Sequence, residues 1–166
     1  KENEIRIDQI KEIHVHNSEI VNVQCGFEYR PMGALQAQMS MKYCMARIMM
    51  DGELSMAQFT EEKLSDLAAI ELTRRVHFIL DEDINKIYPR EFPSVVEIIM
   101  KDGKNYRQRV NMPKGSVENP MTRQDVQEKF NKLALQIINE KKAEAIIEMI
   151  DHLEVMLNSN CCWLLD

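Results

Sequence analysis

Leu35-Gln36-Ala37-Gln38-Met39-Ser40-Met41-Lys42-Tyr43-Cys44-Met45-Ala46-Arg47-Ile48-Met49-Met50-Asp51-Gly52 is the stretch on which the reading of the fold turns. It has no proline and no internal glycine, and strong helix formers dominate it, so it predicts one helix over Leu35–Asp51. Gly52 is placed to end that helix in a left-handed cap. Apolar side chains lie nearly all round, which predicts a buried helix rather than a merely amphipathic one. One row departs from this. Gln36, Ser40, Tyr43 and Arg47 stand at i, i+4, i+7 and i+11 and stack along one helical face. An amide, two hydroxyls and a guanidinium are costly to bury unless partnered. Either groups of the protein satisfy them, or a polar ligand does.

Upstream of this helix, Ile10–His16 alternates apolar and polar residues as a half-buried strand does, with His14 and His16 on the same side. A metal centre needs at least a third ligand at suitable spacing, and none is visible in the sequence, so the pair reads as solvated strand-face histidines and no metal is expected. Asn17–Pro31 reads as irregular, broken by Gly26 and Pro31. Downstream, Ser55–Phe59 is a short turn or helical piece. Thr60 can cap the helix that follows, with Glu61 and Glu62 at its positive end, and helix continues through Leu64–Thr73. Arg75–Leu80 alternates again, with Val76, Phe78 and Leu80 on one face and His77 on the other. Asp81–Pro93 is charged and closed by prolines, hence a loop. Val95–Met100 and Asn105–Met112 flank Asp102-Gly103, a type I′ turn signal, and together predict a hairpin.

Pro113–Pro120 is a loop in which Gly115 permits close backbone approach and Lys114 is a mobile cation. Thr122 and Asp125 resemble a capping box opening a helix over Arg123–Asn139, striped by Val126, Phe130, Leu133 and Ile137. A second amphipathic helix, Glu140–Leu157, follows, and the tail Cys161–Asp166 has no assigned role. Helices and strands are segregated rather than alternating, so the class is α+β: a small mixed sheet covered by a buried helix, then a C-terminal helical pair.

A chain of 166 residues suffices for a real core. A net charge of −6 favours neither nucleic acid nor an anionic membrane as partner. No apolar run of about 18 residues occurs, and the given residues show no signal-peptide pattern, which leaves open what precedes Lys1. Cys25, Cys44, Cys161 and Cys162 form neither a zinc knuckle nor a disulfide framework, which points to a reducing, cytoplasmic setting. The 12 methionines read chiefly as core filling. No P-loop, nucleophile elbow or GxGxxG is present.

Two segments carry a resemblance. Pro31 through Gly52 with Ser55-Met56-Ala57-Gln58-Phe59-Thr60, and Pro113-Lys114-Gly115-Ser116-Val117-Glu118-Asn119-Pro120-Met121-Thr122 followed by Lys129-Phe130, resemble the MmgE/PrpD family. Its members include 2-methylcitrate dehydratase, cis-aconitate decarboxylase and iminodisuccinate epimerase. The second segment matches the more specific signature. The first departs from the family's Glu-Ala-Lys-Phe-Ser, reading Gln36-Ala37-Gln38-Met39-Ser40, which leaves the substrate open.

The resemblance implies the C-terminal portion of a longer protein. Residues 1–121 would form a small α+β domain, and residues 122–166 helices that return to pack on an all-helical N-terminal domain. It further implies a lyase or isomerase acting on small di- or tricarboxylates by proton abstraction next to a carboxylate. Such an enzyme would need no cofactor, would usually be a homodimer, and would keep its main acid/base residues in the helical domain, so that this chain alone would be inactive. Tyr43 is the residue of this chain brought to the site as a catalytic donor, with Ser40, Arg47 and Lys114 as substrate-binding candidates. The alternatives are a non-catalytic dimerisation module, in which Tyr43 is a core tyrosine with a bonded hydroxyl, and an anion-binding module.

Overall fold

The computed structural model describes residues 5–153. By contacts the chain divides into two compact units, Lys1–Pro113 and Lys114–Asp166. The first unit is built on a four-stranded mixed sheet in the order β2-β1-β3-β4, formed by β1 (Ile10–Asn17), β2 (Val76–Leu80), β3 (Ser94–Met100) and β4 (Asn105–Val110). β1 runs parallel to β2 and antiparallel to β3, and β3 pairs antiparallel with β4. The segments that alternate in the sequence are therefore the strands, and all lie in one sheet, as the α+β reading requires.

Alternation sets the two faces. Ile13 and Val15 of β1, Val76 of β2, and Val96, Ile98 and Met100 of β3 join a core cluster with Ala46 and Leu72. Against it lies α3 (Met41–Asp51), whose Met41, Met45, Met49 and Met50 pack on the cluster. The other side of α3 contributes Tyr43 to a second cluster with Tyr29, Ala37 and Leu64. A helix packed on two sides explains why its apolar residues run almost all the way round.

The single helix expected over Leu35–Asp51 is two. α2 (Ala34–Met39) ends at Ser40, whose backbone is extended at φ −84 and ψ 108, and α3 begins at the next residue. Ser40 is the N-cap of α3: its hydroxyl accepts the Tyr43 N–H at 3.3 Å. Serine competes for backbone donors and favours caps over helix interiors, and here that preference wins over the continuous pattern. Gly52 ends α3 in the left-handed region at φ 76, with its N–H donating to Ile48 O, as expected.

The helix expected to continue through Leu64–Thr73 is likewise split, into α4 (Glu61–Leu64) and α5 (Leu67–Thr73), because Asp66 caps the second by accepting the Ala68 N–H. Ser55 and Gln58 close a capping box on a 3-10 turn at Met56–Phe59. Two stretches expected to be loop hold short helices, α1 (Glu19–Cys25) and α6 (Glu82–Ile87), the latter capped by Asp81. In the β3–β4 hairpin the turn runs from Met100 to Gly103, with the Gly103 N–H bonded to Met100 O. Gly103, at φ 87, thus supplies the left-handed residue after the turn and not at its centre.

The second unit holds α7 (Arg123–Ala134) and α8 (Glu140–Asp151). Thr122 and Asp125 make both halves of the capping box that opens α7. Val126, Phe130, Ile147 and Ile150 line an apolar hollow between the two helices, closed at one end by the Arg123–Asp151 ion pair. The end of the expected helix beyond Leu153, and the tail Cys161–Asp166, lie outside the described residues. Among the described residues no helix is long and apolar enough to cross a membrane.

Candidate functional site

The break at Ser40 changes the geometry of the polar row. Gln36 lies on α2, Ser40 is a cap, and only Tyr43 and Arg47 share a helical face. Ser40 and Tyr43 are 0% exposed and Arg47 is 1% exposed. The Tyr43 hydroxyl donates to Gln58 O at 2.6 Å and accepts from Arg47 Nε at 3.3 Å. The Arg47 guanidinium also donates to Lys63 O at 2.7 Å and to Asp66 Oδ2 at 2.8 Å, and lies 3.7 Å from Asp51 Oδ2. Lys63 Nζ in turn holds Asp51. The Tyr43 ring stacks on Tyr29 at 4.5 Å between centroids, and the Tyr29 hydroxyl donates to Leu64 O.

This network ties α3 to α4, α5 and the Met56–Phe59 turn through one buried cation. Its charge is balanced by two carboxylates, and three-way hydrogen bonding exploits the planar guanidinium, which a lysine would not reproduce. Burial works to raise the Asp66 pKa, but the Arg47 hydrogen bond and charge, with the Ala68 N–H, bring it below the ordinary value. Burial pushes the Tyr29 phenol up to about 12, helped by the neighbouring Tyr43. Gln36 remains apart, with a buried Oε1 that has no hydrogen-bond partner and an Nε2 directed at Met32 Sδ. Asp66 and Gln58, essential to the network, carry no signal in the sequence beyond their capping positions.

Lys114 belongs to the second unit. It pairs with Asp125 of the α7 capping box, and Lys114 with Thr122 draws the Asp125 carboxyl down to about 2. The structure thus brings Ser40, Tyr43 and Arg47 together and gives Lys114 a local acidic partner of its own.

The opposite face of the sheet carries a different cluster. His14 and His16, expected to be merely solvated, are half-buried beside Glu12 and Glu97. Glu97 comes from a strand 81 residues away from His16, a juxtaposition that no local spacing reveals.

Comparison with known proteins bears on both units. Cis-aconitate decarboxylase of Aspergillus terreus is 26% identical over 152 residues, covering 89% of this chain and 31% of that protein. The human cis-aconitate decarboxylase is 24% identical over 151 residues, covering 89% of this chain and 30% of that protein. The chain therefore spans about three tenths of the length of these curated relatives. The model of the MmgE/PrpD C-terminal domain matches residues 1–155. With nearly its whole length matched, and with the α+β sheet and buried α3 in place, the chain belongs to the MmgE/PrpD family.

Proposed function

We propose that this chain is the C-terminal part of a lyase or isomerase that removes a proton next to a carboxylate in a small di- or tricarboxylate. The family match over residues 1–155 carries the reading, and the decarboxylase relatives support it. Such chemistry needs a base poised near neutral pH and fixed donors for the substrate carboxylates. The family resemblance assigns the base to an N-terminal helical domain, which is this chain's expected partner within a homodimer. No cofactor is called for by that chemistry.

Within this scheme Ser40 caps α3 at the α2–α3 junction, and Tyr43 and Arg47 act as a brace that holds α3 to α4, α5 and the Met56–Phe59 turn. The Tyr43 hydroxyl already donates to a peptide carbonyl and accepts from Arg47, so reaching a substrate would leave two buried groups unpaired. Lys114 is the better substrate contact. Its side chain is 58% exposed on a flexible stem, and its pairing with Asp125 is a surface one that a carboxylate ligand can replace.

The test is made on the complete protein, with cis-aconitate, 2-methylcitrate and iminodisuccinate as substrates and release of carbon dioxide or water, or epimerisation, as readouts. Lys114→Ala is expected to raise KM with the unfolding midpoint little changed. The 166-residue chain alone is expected to show no turnover. Absence of all three activities from the complete protein would overturn the reading. It would favour the second one, a non-catalytic dimerisation or anion-binding module. That module has its own support in the exposed Val126, Ile137, Met149 and Ile150 of the second unit.

A further inference from the structure

We propose that His14, His16 and Glu97 form a binding site for a divalent transition-metal ion of the zinc class on the sheet face opposite α3. The sheet register makes the site. His14 of β1 pairs with Glu97 of β3 on one side and with His77 of β2 on the other, so these three side chains form a row on one face. His16, two residues on, projects from the same face. One ligand atom from each of His14, His16 and Glu97 lies within 4.8 Å of the others. His16 Nε2 is 3.3 Å and His14 Nδ1 is 3.8 Å from Glu97 Oε2. Ligands about 2.0–2.1 Å from a tetrahedral ion are separated by roughly 3.3–3.4 Å, so small rotamer adjustments suffice.

The surrounding groups point the same way. His14 Nε2 is bonded to Glu12 Oε2 at 2.9 Å, which makes that nitrogen the N–H donor and leaves the Nδ1 lone pair facing Glu97. A carboxylate on the far nitrogen of a metal-binding histidine is the usual device for fixing its tautomer and ring orientation. Glu97 is oriented in the same manner, since Asn105 Nδ2 occupies Oε1 and leaves Oε2 for the histidines. The ligand atoms are partly shielded yet reachable, with side chains 22%, 17% and 19% exposed for His14, His16 and Glu97. His77, exposed and with its ring centroid 5.7 Å from that of His14, borders the site without joining the three converging ligand atoms, so the fourth position falls to water. Two imidazoles and one carboxylate select zinc, nickel or copper over calcium and magnesium, which prefer oxygen-only shells. Arg107 stands opposite Glu97 in the β3–β4 register and is the cation that competes for it.

The experiment titrates the full chain, carrying Cys161→Ser and Cys162→Ser so that this adjacent thiol pair does not contribute, with zinc chloride by calorimetry; the cobalt spectrum reports any part taken by Cys25 or Cys44. Cobalt(II) serves as the optical probe of coordination. One ion per chain is expected, with a cobalt spectrum lacking thiolate charge-transfer bands. Glu97→Gln keeps the shape of the side chain and is expected to weaken zinc binding at least about tenfold, as is His16→Ala; Glu12→Ala, which frees the His14 ring, is expected to cost about 10–100-fold. Unfolding midpoints measured with chelator present identify any variant that fails to fold, and Glu97→Gln alone then decides. Lack of zinc binding by the parent chain, or binding unaffected by Glu97→Gln, would overturn the site. Neither result depends on the enzymatic reading above.

Discussion

The two polar clusters of the first unit sit on opposite sides of the same sheet and solve opposite problems. Behind α3, Tyr43 and Arg47 are sealed with Asp66 at the rim, and the hydroxyl and guanidinium find their partners inside the protein. On the far face, His14, His16 and Glu97 are half-buried, and each keeps one ligand atom turned toward the others. A closed network spends its hydrogen-bonding capacity on holding elements together. A convergent one retains capacity for something that arrives from outside. Burial alone does not separate structure from function here; what separates them is whether the ligand-type atoms converge on one point.

The largest test of this contrast is Arg47→Ala. It strands Lys63 O and takes the guanidinium from Asp66 and Asp51, leaving Asp51 to Lys63 Nζ, and is expected to cost about 3 kcal/mol in urea unfolding, the range for breaking one half of a buried pair. A loss well under 1 kcal/mol would show that the network is not what holds α3 to α4 and α5. Tyr43→Phe comes next. It unpairs Gln58 O and Arg47 Nε and is expected to cost about 0.5–1.5 kcal/mol, with turnover per folded molecule of the complete protein unchanged. A hundredfold loss of turnover with an unchanged midpoint would instead move the hydroxyl to the substrate. Ser40→Ala removes the α3 cap, at about 1 kcal/mol, and serves as the reference for a lost backbone contact outside the Arg47 network.

Acid gives the finest comparison. The folded Asp66 carboxyl titrates below its ordinary 3.8, so its contribution is present at neutral pH and is lost as pH falls from the usual carboxylate range through the lowered value. Asp125 is held down to about 2 by Lys114 and Thr122, so its contribution to α7 disappears between about pH 4 and about pH 2. Carboxyl titration by NMR is expected to show Asp66 rising in Arg47→Ala, because burial then acts unopposed by the guanidinium. Asp125 is expected to rise in Lys114→Ala.

How much of this was legible in the sequence depended on range. The strands were readable because Ile10–His16 and the Asp102-Gly103 hairpin declare themselves within a few residues. The Thr122–Asp125 box was readable for the same reason. The α2–α3 break was misread because Ser40 fits a helical polar row as well as it fits a cap, and periodicity cannot choose between them. α6 was missed although Asp81 followed by Glu82 and Asp83 is a helix-start signal, because the flanking prolines and charge favoured a loop. The candidate site divided in the same way. The burial of Tyr43 followed from the pattern around it, while its partners Gln58 and Asp66, and the meeting of His16 with Glu97, are products of tertiary structure alone.

The strand order has a consequence for how the chain is made. β1 is central, yet its neighbours β2 and β3 follow it only after the whole run of α1 to α5 or more. With His16 and Glu97 81 residues apart, translation at ~5–20 residues per second leaves β1 without its β3 neighbour for roughly 4–16 s. During that time the β3 edge of β1, and until β2 is made both of its edges, are open to any extended segment nearby, including the same strand of a neighbouring nascent chain. The β3–β4 hairpin, by contrast, closes within its own few residues. On the ribosome, the piece that completes this sheet is ready as soon as it is made, and the piece at its centre must wait.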